Sequence, residues 1–227
     1  RKVLLLEKME KTGRKVRITG KGRCNLTNAR PPEEFAGKVR VNADFFAPAF
    51  NAFNNRATFR FFESIGVKLD VERGDRVFPR SGKAWDVAQA LVDWCRDEGV
   101  TVQCDTRVKE VLTVGSRVYG VRYVNKRGFE RKEEADAVIV ATGGVSYAAT
   151  GSTGDGYRFA EATGHRIEPI RPSLVPLETS YAHFRELRGL TLRNVSVQLA
   201  VDGQTVGEEF GEVFFSDRGI EGAAVLR

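Results

Sequence analysis

A basic, glycine-containing segment at residues 13–28, GRKVRITGKGRCNLTN, carries the residue types that bind a phosphorylated cofactor. Glycines let backbone amides approach an anion closely, and the lysines and arginines between them neutralise its charge. The segment is not a Walker loop, because its Gly-Lys is not followed by the Ser or Thr that binds magnesium. It predicts contacts to a cofactor pyrophosphate, and a solvated basic loop is the alternative.

An acid at the end of a short apolar run is a second candidate. Glu7 follows Val3-Leu4-Leu5-Leu6, which is typical of a buried strand in a parallel sheet. In a dinucleotide-binding βαβ unit, the second strand ends in an acid that accepts hydrogen bonds from ribose hydroxyls. The matching GxGxxG turn lies about 20 residues upstream of such an acid, which here is before Arg1. We therefore expect residues 1–227 to be an interior segment of a longer protein.

A third pattern combines a glycine turn with the start of a helix. The apolar run at residues 137–141 leads into Thr142-Gly143-Gly144, and residues 153–156 read TGDG. A tight turn without side chains lets the backbone pass beside a cofactor. The amino-terminal dipole of a helix starting at Asp155 favours an anionic or electron-rich group. This order of motifs is typical of flavoproteins with two dinucleotide-binding folds.

The spacing of apolar residues along the chain predicts the helices and strands that position these motifs. We predict a loop with at most one helical turn at residues 13–28, and helices forming a satellite core in the Phe-rich residues 45–66. Further helices are predicted near residues 84–98 and 155–163, where Gly99 and Gly164 act as stops. Residues 108–132 predict an antiparallel meander with turns at 115–116 and 125–128, and residues 137–141 a second buried strand. The fold class is therefore α/β, with a domain boundary near residue 172 and a β-rich part over 173–227.

Composition and charge exclude several classes of protein. The chain has 41% hydrophobic residues, 29% charged residues and a net charge of +6, which excludes a disordered tail. Acidic residues are interspersed with basic ones along most of the chain, so we do not expect nucleic acid as a partner. Three cysteines without a CxxC pair and two distant histidines predict neither a disulfide framework nor a metal site. No apolar run approaches the roughly 18 residues of a membrane span, and we expect a cytoplasmic protein.

Three motifs resemble a known family. Residues 13–28, residues 72–79 (ERGDRVFP) and residues 172–177 (PSLVPL) resemble the YhiN/BaiN-type, aminoacetone-oxidase-like NAD(P)/FAD-dependent oxidoreductases. The resemblance implies an FAD-binding two-dinucleotide (Rossmann-like) fold with an antiparallel β-meander, spanning residues 1–172, and an inserted β-rich domain at residues 173–227. The family's amino-terminal GxGxxG and carboxyl-terminal tail have no counterpart in this chain. We therefore expect residues 1–227 alone to bind FAD weakly or not at all.

The resemblance also implies which residues contact the cofactor. Glu7 would hold the adenosine ribose, and the Val108 backbone would hold adenine. Thr142, Gly143 and Gly144 would pass beside the cofactor, and the helix at Asp155 would begin there. The pyrophosphate and flavin would be lined by Arg14, Lys15, Thr19, Gly20, Lys21, Gly22, Arg23, Cys24 and Asn25.

The implied activity is that of a flavin-dependent oxidoreductase. FAD would exchange hydride or electrons between NAD(P)H or a small reduced substrate and an organic acceptor or oxygen. A tRNA-modifying flavoprotein and a non-catalytic FAD- or nucleotide-binding module are the alternatives. The sequence names no substrate, no catalytic acid or base and no oligomeric state.

Overall fold

The computed structural model describes residues 2–39 and 41–226. These divide into two compact units, Arg1–Ile167 and Glu168–Arg227. The predicted domain boundary near residue 172, and the insertion of the second part into the first, stay predictions.

The first unit contains the parallel strand pair on which the sequence analysis depends. Strand β1 (Leu4–Leu6) pairs in parallel with β5 (Thr101–Gln103), and Leu5 lies opposite Val102. The meander is antiparallel, as predicted, with β6 (Arg107–Val114), β7 (Arg117–Val124) and β8 (Glu130–Glu134). A further antiparallel sheet has the order β2 (Thr27–Asn28), β4 (Arg76–Pro79), β3 (Leu69–Glu72). The helices are α1 (Arg14–Gly22), α2 (Pro32–Ala36), α3 (Ala43–Ala52), α4 (Asn55–Ser64), α5 (Ala84–Asp97), α6 (Asp155–Ala162) and a 3₁₀ turn (Ala148–Thr150).

Helix α1 occupies the first part of the segment at residues 13–28 for which a loop with a helical turn was predicted. It packs on α5, and a Cβ on Gly13 would lie 3.2 Å from the Cβ of Ala88, so the two helices approach closely. The core beside it contains Cys24, Val77 and Val87, all buried. The glycines that signalled a loop instead interrupt the helix near its end, where Gly20 and Lys21 have positive φ. The regular helical turns are therefore confined to residues 14–18, which contain no glycine, as the low helix propensity of glycine requires.

The Phe-rich segment forms two helices and a satellite core, as predicted. Phe50 is buried on α3 and stacks on Phe35 and Phe46, with ring centroids 5.0 Å apart in each pair. On α4, Phe61 meets Trp94 of α5 edge to face at 5.0 Å. These rings are engaged with one another and not arranged as a base-stacking surface.

The predicted strand at residues 137–141 is wrong. This segment has no regular structure, and Ile139 is 91% exposed. No described strand pairs with it, and an extended segment without hydrogen-bonded neighbours is not a strand of a sheet. Strand β1, predicted to be buried, pairs with β5 and is half-buried.

The second unit is β-rich. Strands β10 (Thr191–Val201) and β11 (Gln204–Phe215) form a long antiparallel hairpin through a turn at Asp202 and Gly203. The sheet order is β10, β11, β12 (Gly219–Glu221) and β9 (Leu177–Glu178), and the unit also holds a 3₁₀ helix (Ala182–Leu187).

Candidate functional site at the carboxyl end of strand β1

The candidate site begins where β1 ends. The amide of Glu7 donates to the carbonyl of Gln103 at 2.9 Å, and the Glu7 carbonyl accepts from the amide of Thr106 at 2.9 Å. The Glu7 side chain turns back on its own chain, where Oε1 accepts from the Met9 amide at 2.8 Å. Its Oε2 has no hydrogen-bond partner among residues 2–39 and 41–226. A half-buried carboxylate is thus held in place with one oxygen left for an incoming hydroxyl.

Lys8 connects this strand end to helix α6. Its Nζ donates to Oδ2 of Asp155 at 2.6 Å and to Oγ1 of Thr153 at 2.5 Å. The other carboxylate oxygen, Oδ1, accepts from Nη2 of Arg158 at 2.9 Å. Burial alone raises the pKa of Asp155, but the hydrogen bonds from Lys8 and Arg158 outweigh burial and lower it to about 2. The Asp155 carboxylate is therefore ionised and committed to two cations.

The glycine turn at residues 142–144 packs directly on the start of α6. The amide of Gly154 donates to the carbonyl of Gly144 at 3.1 Å. A Cβ on Gly143, which has a φ of +70°, would lie 2.9 Å from Oγ of Ser152. A Cβ on Gly156 would lie 2.7 Å from Oγ1 of Thr142. Side chains at these glycines would force the turn away from the helix, so the turn has one close-packed position.

Helix α1 reaches the same region through its first turn. Nζ of Lys15 donates to the carbonyl of Ser146 at 2.6 Å, two residues beyond the glycine turn. Arg14 pairs with Glu10 at 2.5 Å and has no described contact with the glycine turn. Lys15 has no carboxylate partner among the described residues, so its charge is available to an anion.

The end of α1 reverses direction over a short glycine segment. Gly20, Lys21 and Gly22 have φ values of 56°, 57° and 84°, and Cys24 follows with 60°. The amide of Cys24 donates to the carbonyl of Thr19 at 3.0 Å, which closes the reversal, and Oγ1 of Thr19 donates to the carbonyl of Val16 at 2.7 Å. Successive residues of this kind form concave surfaces that bind anions.

Within this segment, the two neighbouring cations have different environments. Arg23 forms an ion pair with Glu72, and its guanidinium carbon lies 4.3 Å from the Phe78 ring centroid. The hydrogen bond that Arg23 donates to Glu72 raises the pKa of Arg23. Lys21 has no ion-pair partner in the described part of the chain. Lys21 is therefore the better placed of the two for an external anion.

The remaining predicted contacts point into the protein or along strands. Cys24 is buried; burial raises the pKa of its thiol, which a hydrogen bond with Thr19 lowers in part. In the orientation that satisfies its hydrogen bonds, the Asn25 side-chain nitrogen donates to the carbonyls of Thr27 and Val77 at 3.1 and 3.3 Å. Val108 lies on β6 opposite Tyr123.

Hydrogen bonds therefore bring three of the predicted places to the segment around the α6 start at Asp155: the strand end through Lys8, the glycine turn through Gly154, and Lys15 through Ser146 beside that turn. The reversal at residues 19–25 packs separately, on β4: a Cβ on Gly20 would lie 3.2 Å from the Phe78 ring. Sequence reasoning missed Lys8 and Arg158. The three-residue spacing from Asp155 to Arg158 on one helix is a signal that could have identified the second.

No group of three or more His, Cys, Asp or Glu side chains in the described part of the chain is arranged to hold a metal ion. Nor does any helix there combine the length and apolar character that crossing a bilayer requires.

The parallel strand pair, the helices beside it and the glycine turn at the strand ends define a Rossmann-like α/β protein. The particular family follows from sequence: residues 1–217 match the HI0933-like protein Rossmann domain. The chain belongs to this family, which confirms both the predicted fold class and the resemblance noted from the motifs.

Two curated relatives cover nearly the whole chain. It is 31% identical over 226 residues to a 3-dehydro-bile acid delta(4,6)-reductase of Clostridium scindens, covering 99% of this chain and 53% of that protein. It is 29% identical to a ribosomal RNA dihydrouridine synthase of Escherichia coli, covering 100% of this chain and 54% of that protein. The chain thus spans about half the length of the curated relatives it matches.

One solved structure supports the fold. The open conformation of a flavocytochrome c3 fumarate reductase aligns with a TM-score of 0.51 at 18% identity, covering 85% of this chain and 42% of that one. This likeness is one of fold.

Proposed function

We propose that this chain is the cofactor-binding part of an FAD-dependent oxidoreductase. The observation that carries the proposal is that the start of α6 is hydrogen-bonded both to Lys8, just after β1, and to the glycine turn at residues 142–144. Rossmann-like proteins bind dinucleotides outside the carboxyl ends of their parallel strands. The family membership and the flavocytochrome fold are consistent with this proposal.

The residues present fit the cofactor in three places. Glu7 has an unused oxygen to accept a ribose hydroxyl. Lys15 and Lys21 are cations without carboxylate partners, and the backbone reversal beside Lys21 suits a pyrophosphate. Arg23 and Asp155 fit less well, because both charges are already paired within the protein.

When bound, FAD supplies the two-electron chemistry that no side chain provides. The chain's own residues bind and orient the cofactor. Glu7 orients the adenosine end, Lys15 and Lys21 neutralise phosphate charge, and the close-packed turn at residues 142–144 keeps side chains out of the cofactor's path.

The names of the two relatives suggest a common reaction. A 3-dehydro-bile acid with delta(4,6) unsaturation and a uridine both contain a carbon–carbon double bond conjugated to a carbonyl, and both named reactions saturate such a bond. We therefore propose reduction of a conjugated carbon–carbon double bond, in which a hydride and a proton are added across it. NAD(P)H is the proposed source of the hydride.

The experiment uses the intact protein loaded with FAD. Anaerobic addition of NADH or NADPH should bleach the visible absorption of the oxidised flavin. Subsequent addition of a 3-oxo-4,6-diene steroid or of a uridine-containing RNA should restore it and yield the saturated product, measured by mass spectrometry. A protein that binds FAD but is not reduced by either nicotinamide would contradict the proposed reductant. A protein that binds no FAD would contradict the oxidoreductase itself.

A further inference from the structure

A pocket of about 560 Å³ lies along helix α5, and the end of α4, at Ser64 and Ile65, forms its other wall. The α5 residues that line it recur at intervals of three and four positions, so they share one face of the helix. Ala88, through which α5 approaches Gly13 of α1, lies on the opposite face. The pocket is therefore separated from α1 by the thickness of α5, and none of the described residues that line it belongs to the candidate cofactor site.

A line of carboxylates runs along the pocket. Asp86, Asp93 and Asp97 follow one another at spacings of seven and four residues, over about 16 Å of the helix axis. The side chains of Asp86 and Asp97 have no hydrogen-bond or ion-pair partner among residues 2–39 and 41–226. Asp93 uses one oxygen, since its Oδ1 accepts from Gln89 at 2.9 Å and from Arg96 at 3.4 Å. All three carboxylates therefore have oxygens left for a ligand.

The surroundings of these carboxylates are also negative. Among the described residues that line the pocket there is no lysine or arginine. The carboxyl-terminal end of α4 reaches the pocket at Ser64, and the last turn of α4 has no basic residue. Free carbonyls at a helix end carry partial negative charge, and Asp93 and Asp97, one turn apart, repel each other. A chain with a net charge of +6 thus has an acidic face here, where a bound cation would offset the repulsion.

Two tryptophans stand on either side of this acidic stripe. Trp85 and Trp94 are about two and a half helical turns apart, so they flank the stripe on opposite sides. Trp85 is 52% exposed, and the guanidinium carbon of Arg17 on α1 lies 3.7 Å from its ring centroid. Trp94 is 38% exposed, and Phe61 of α4 holds it edge to face. Both rings are fixed yet exposed, and the face of a tryptophan attracts cations.

The spacing of the carboxylates decides which kind of cation fits. No three His, Cys, Asp or Glu side chains in the part of the chain that the structure describes are arranged to hold one metal ion. Asp86 and Asp97 lie about 16 Å apart along the axis, so they cannot share a small ion. A linear chain with ammonium groups at intervals can donate charge-assisted hydrogen bonds to each carboxylate in turn. Its methylene groups can lie against the apolar tryptophan rings.

We propose that this pocket is a binding site for a linear aliphatic polyamine. Its ammonium groups pair with Asp86, Asp93 and Asp97, and its methylene groups pack between Trp85 and Trp94. A polyamine fits better than a lysine-rich protein segment, because the carboxylates follow a single line, as the ammonium groups of an unbranched chain do. The site is independent of the candidate cofactor site and of the proposed reduction.

Isothermal titration of the intact protein with spermine tests the proposal. The double variant Asp86→Asn/Asp97→Asn should bind spermine roughly tenfold more weakly, since each exposed ion pair contributes about threefold. Trp85→Leu should weaken binding by about fivefold, because the contact between the ring and the cation is lost. 1,4-Diaminobutane, which reaches fewer of the carboxylates, should bind more weakly than spermine. Circular dichroism checks that each variant is folded, and the aspartates are exposed on α5, so their replacement should leave the fold intact.

A matched control removes the same charge elsewhere. Glu33 and Glu34 are exposed in the first turn of α2, so Glu33→Gln/Glu34→Gln should bind spermine as the wild type does. Equal weakening by both double variants, or no binding of spermine by the wild type, would overturn the proposal. Competition by Mg²⁺ as strong, mole for mole, as competition by 1,4-diaminobutane would overturn the choice of an organic cation. Tighter binding of an acetylated tetralysine amide than of spermine, lost in Asp86→Asn/Asp97→Asn, would assign the pocket to a basic protein segment and overturn the polyamine.

Discussion

The ammonium nitrogen of Lys8 lies 2.6 Å from Oδ2 of Asp155, so the residue after the candidate ribose acid is tied to the first residue of α6. Arg158 extends the connection, because its Nη2 binds Asp155 and its Nη1 donates to the carbonyl of Lys109 on β6 at 3.0 Å. One carboxylate thus joins a parallel strand, a helix and the meander.

We expect Asp155→Asn to lower the free energy of unfolding by about 2 kcal/mol, because Lys8 and Arg158 lose their counter-charge. Urea denaturation measures the change. The control is Asp70→Asn, which breaks an exposed ion pair with Arg80 and should cost less than about 1 kcal/mol. Equal effects of the two substitutions would contradict a special role for Asp155.

The same pair predicts a pH dependence. The pKa of Asp155 is about 2 in the folded protein, below its ordinary value of 3.8. A group with a lowered folded pKa contributes stability above its unfolded pKa, and that stability is lost as the pH falls through the folded pKa. Between about pH 4 and pH 2, the wild type should therefore lose roughly 2 kcal/mol more than Asp155→Asn. If the free energy of unfolding fell equally with pH in the two proteins over this range, the assigned pKa shift of Asp155 would be contradicted.

Replacing each of two glycines in the α1 reversal by alanine should destabilise the protein to different extents. A Cβ on Gly20 would lie 2.9 Å from the backbone nitrogen of Asn25, whereas nothing lies within 4 Å of a Cβ on Gly22. Both have positive φ, so Gly22→Ala should cost about 1 kcal/mol from backbone strain alone. Gly20→Ala should cost about 2–3 kcal/mol, because the collision adds to that strain. Thermal or urea denaturation decides, and a larger loss for Gly22→Ala would contradict the geometry.

FAD affinity tests the assignment of the ribose acid. In the intact protein, Glu7→Gln should weaken FAD binding by about tenfold, because a hydrogen bond from a ribose hydroxyl to a charged acceptor is worth about 1.5 kcal/mol. Isothermal titration with FAD measures this. Glu33→Gln changes charge equally on α2 and should have no effect. Unchanged affinity in Glu7→Gln would remove Glu7 from the site.

The local chemistry of this protein could be read from its sequence. The apolar run before Glu7, the stops at Gly99 and Gly164 and the meander turns depend on residue types and spacings that act over a few positions. The family, too, follows from such local motifs, since the segment at residues 13–28 combines glycines, cations and amides at fixed spacing.

Only tertiary contacts decided how these parts are used. The helical turns at residues 14–18 pack on α5, a partner more than 60 positions away. The Asp155 carboxylate is occupied because Lys8 approaches from 147 positions earlier. Residues 137–141 are apolar enough for a strand, yet a strand requires neighbours to pair with. Periodicity encodes the preference of a segment, whereas pairing and charge compensation depend on which distant segments meet it, and only the folded chain determines that.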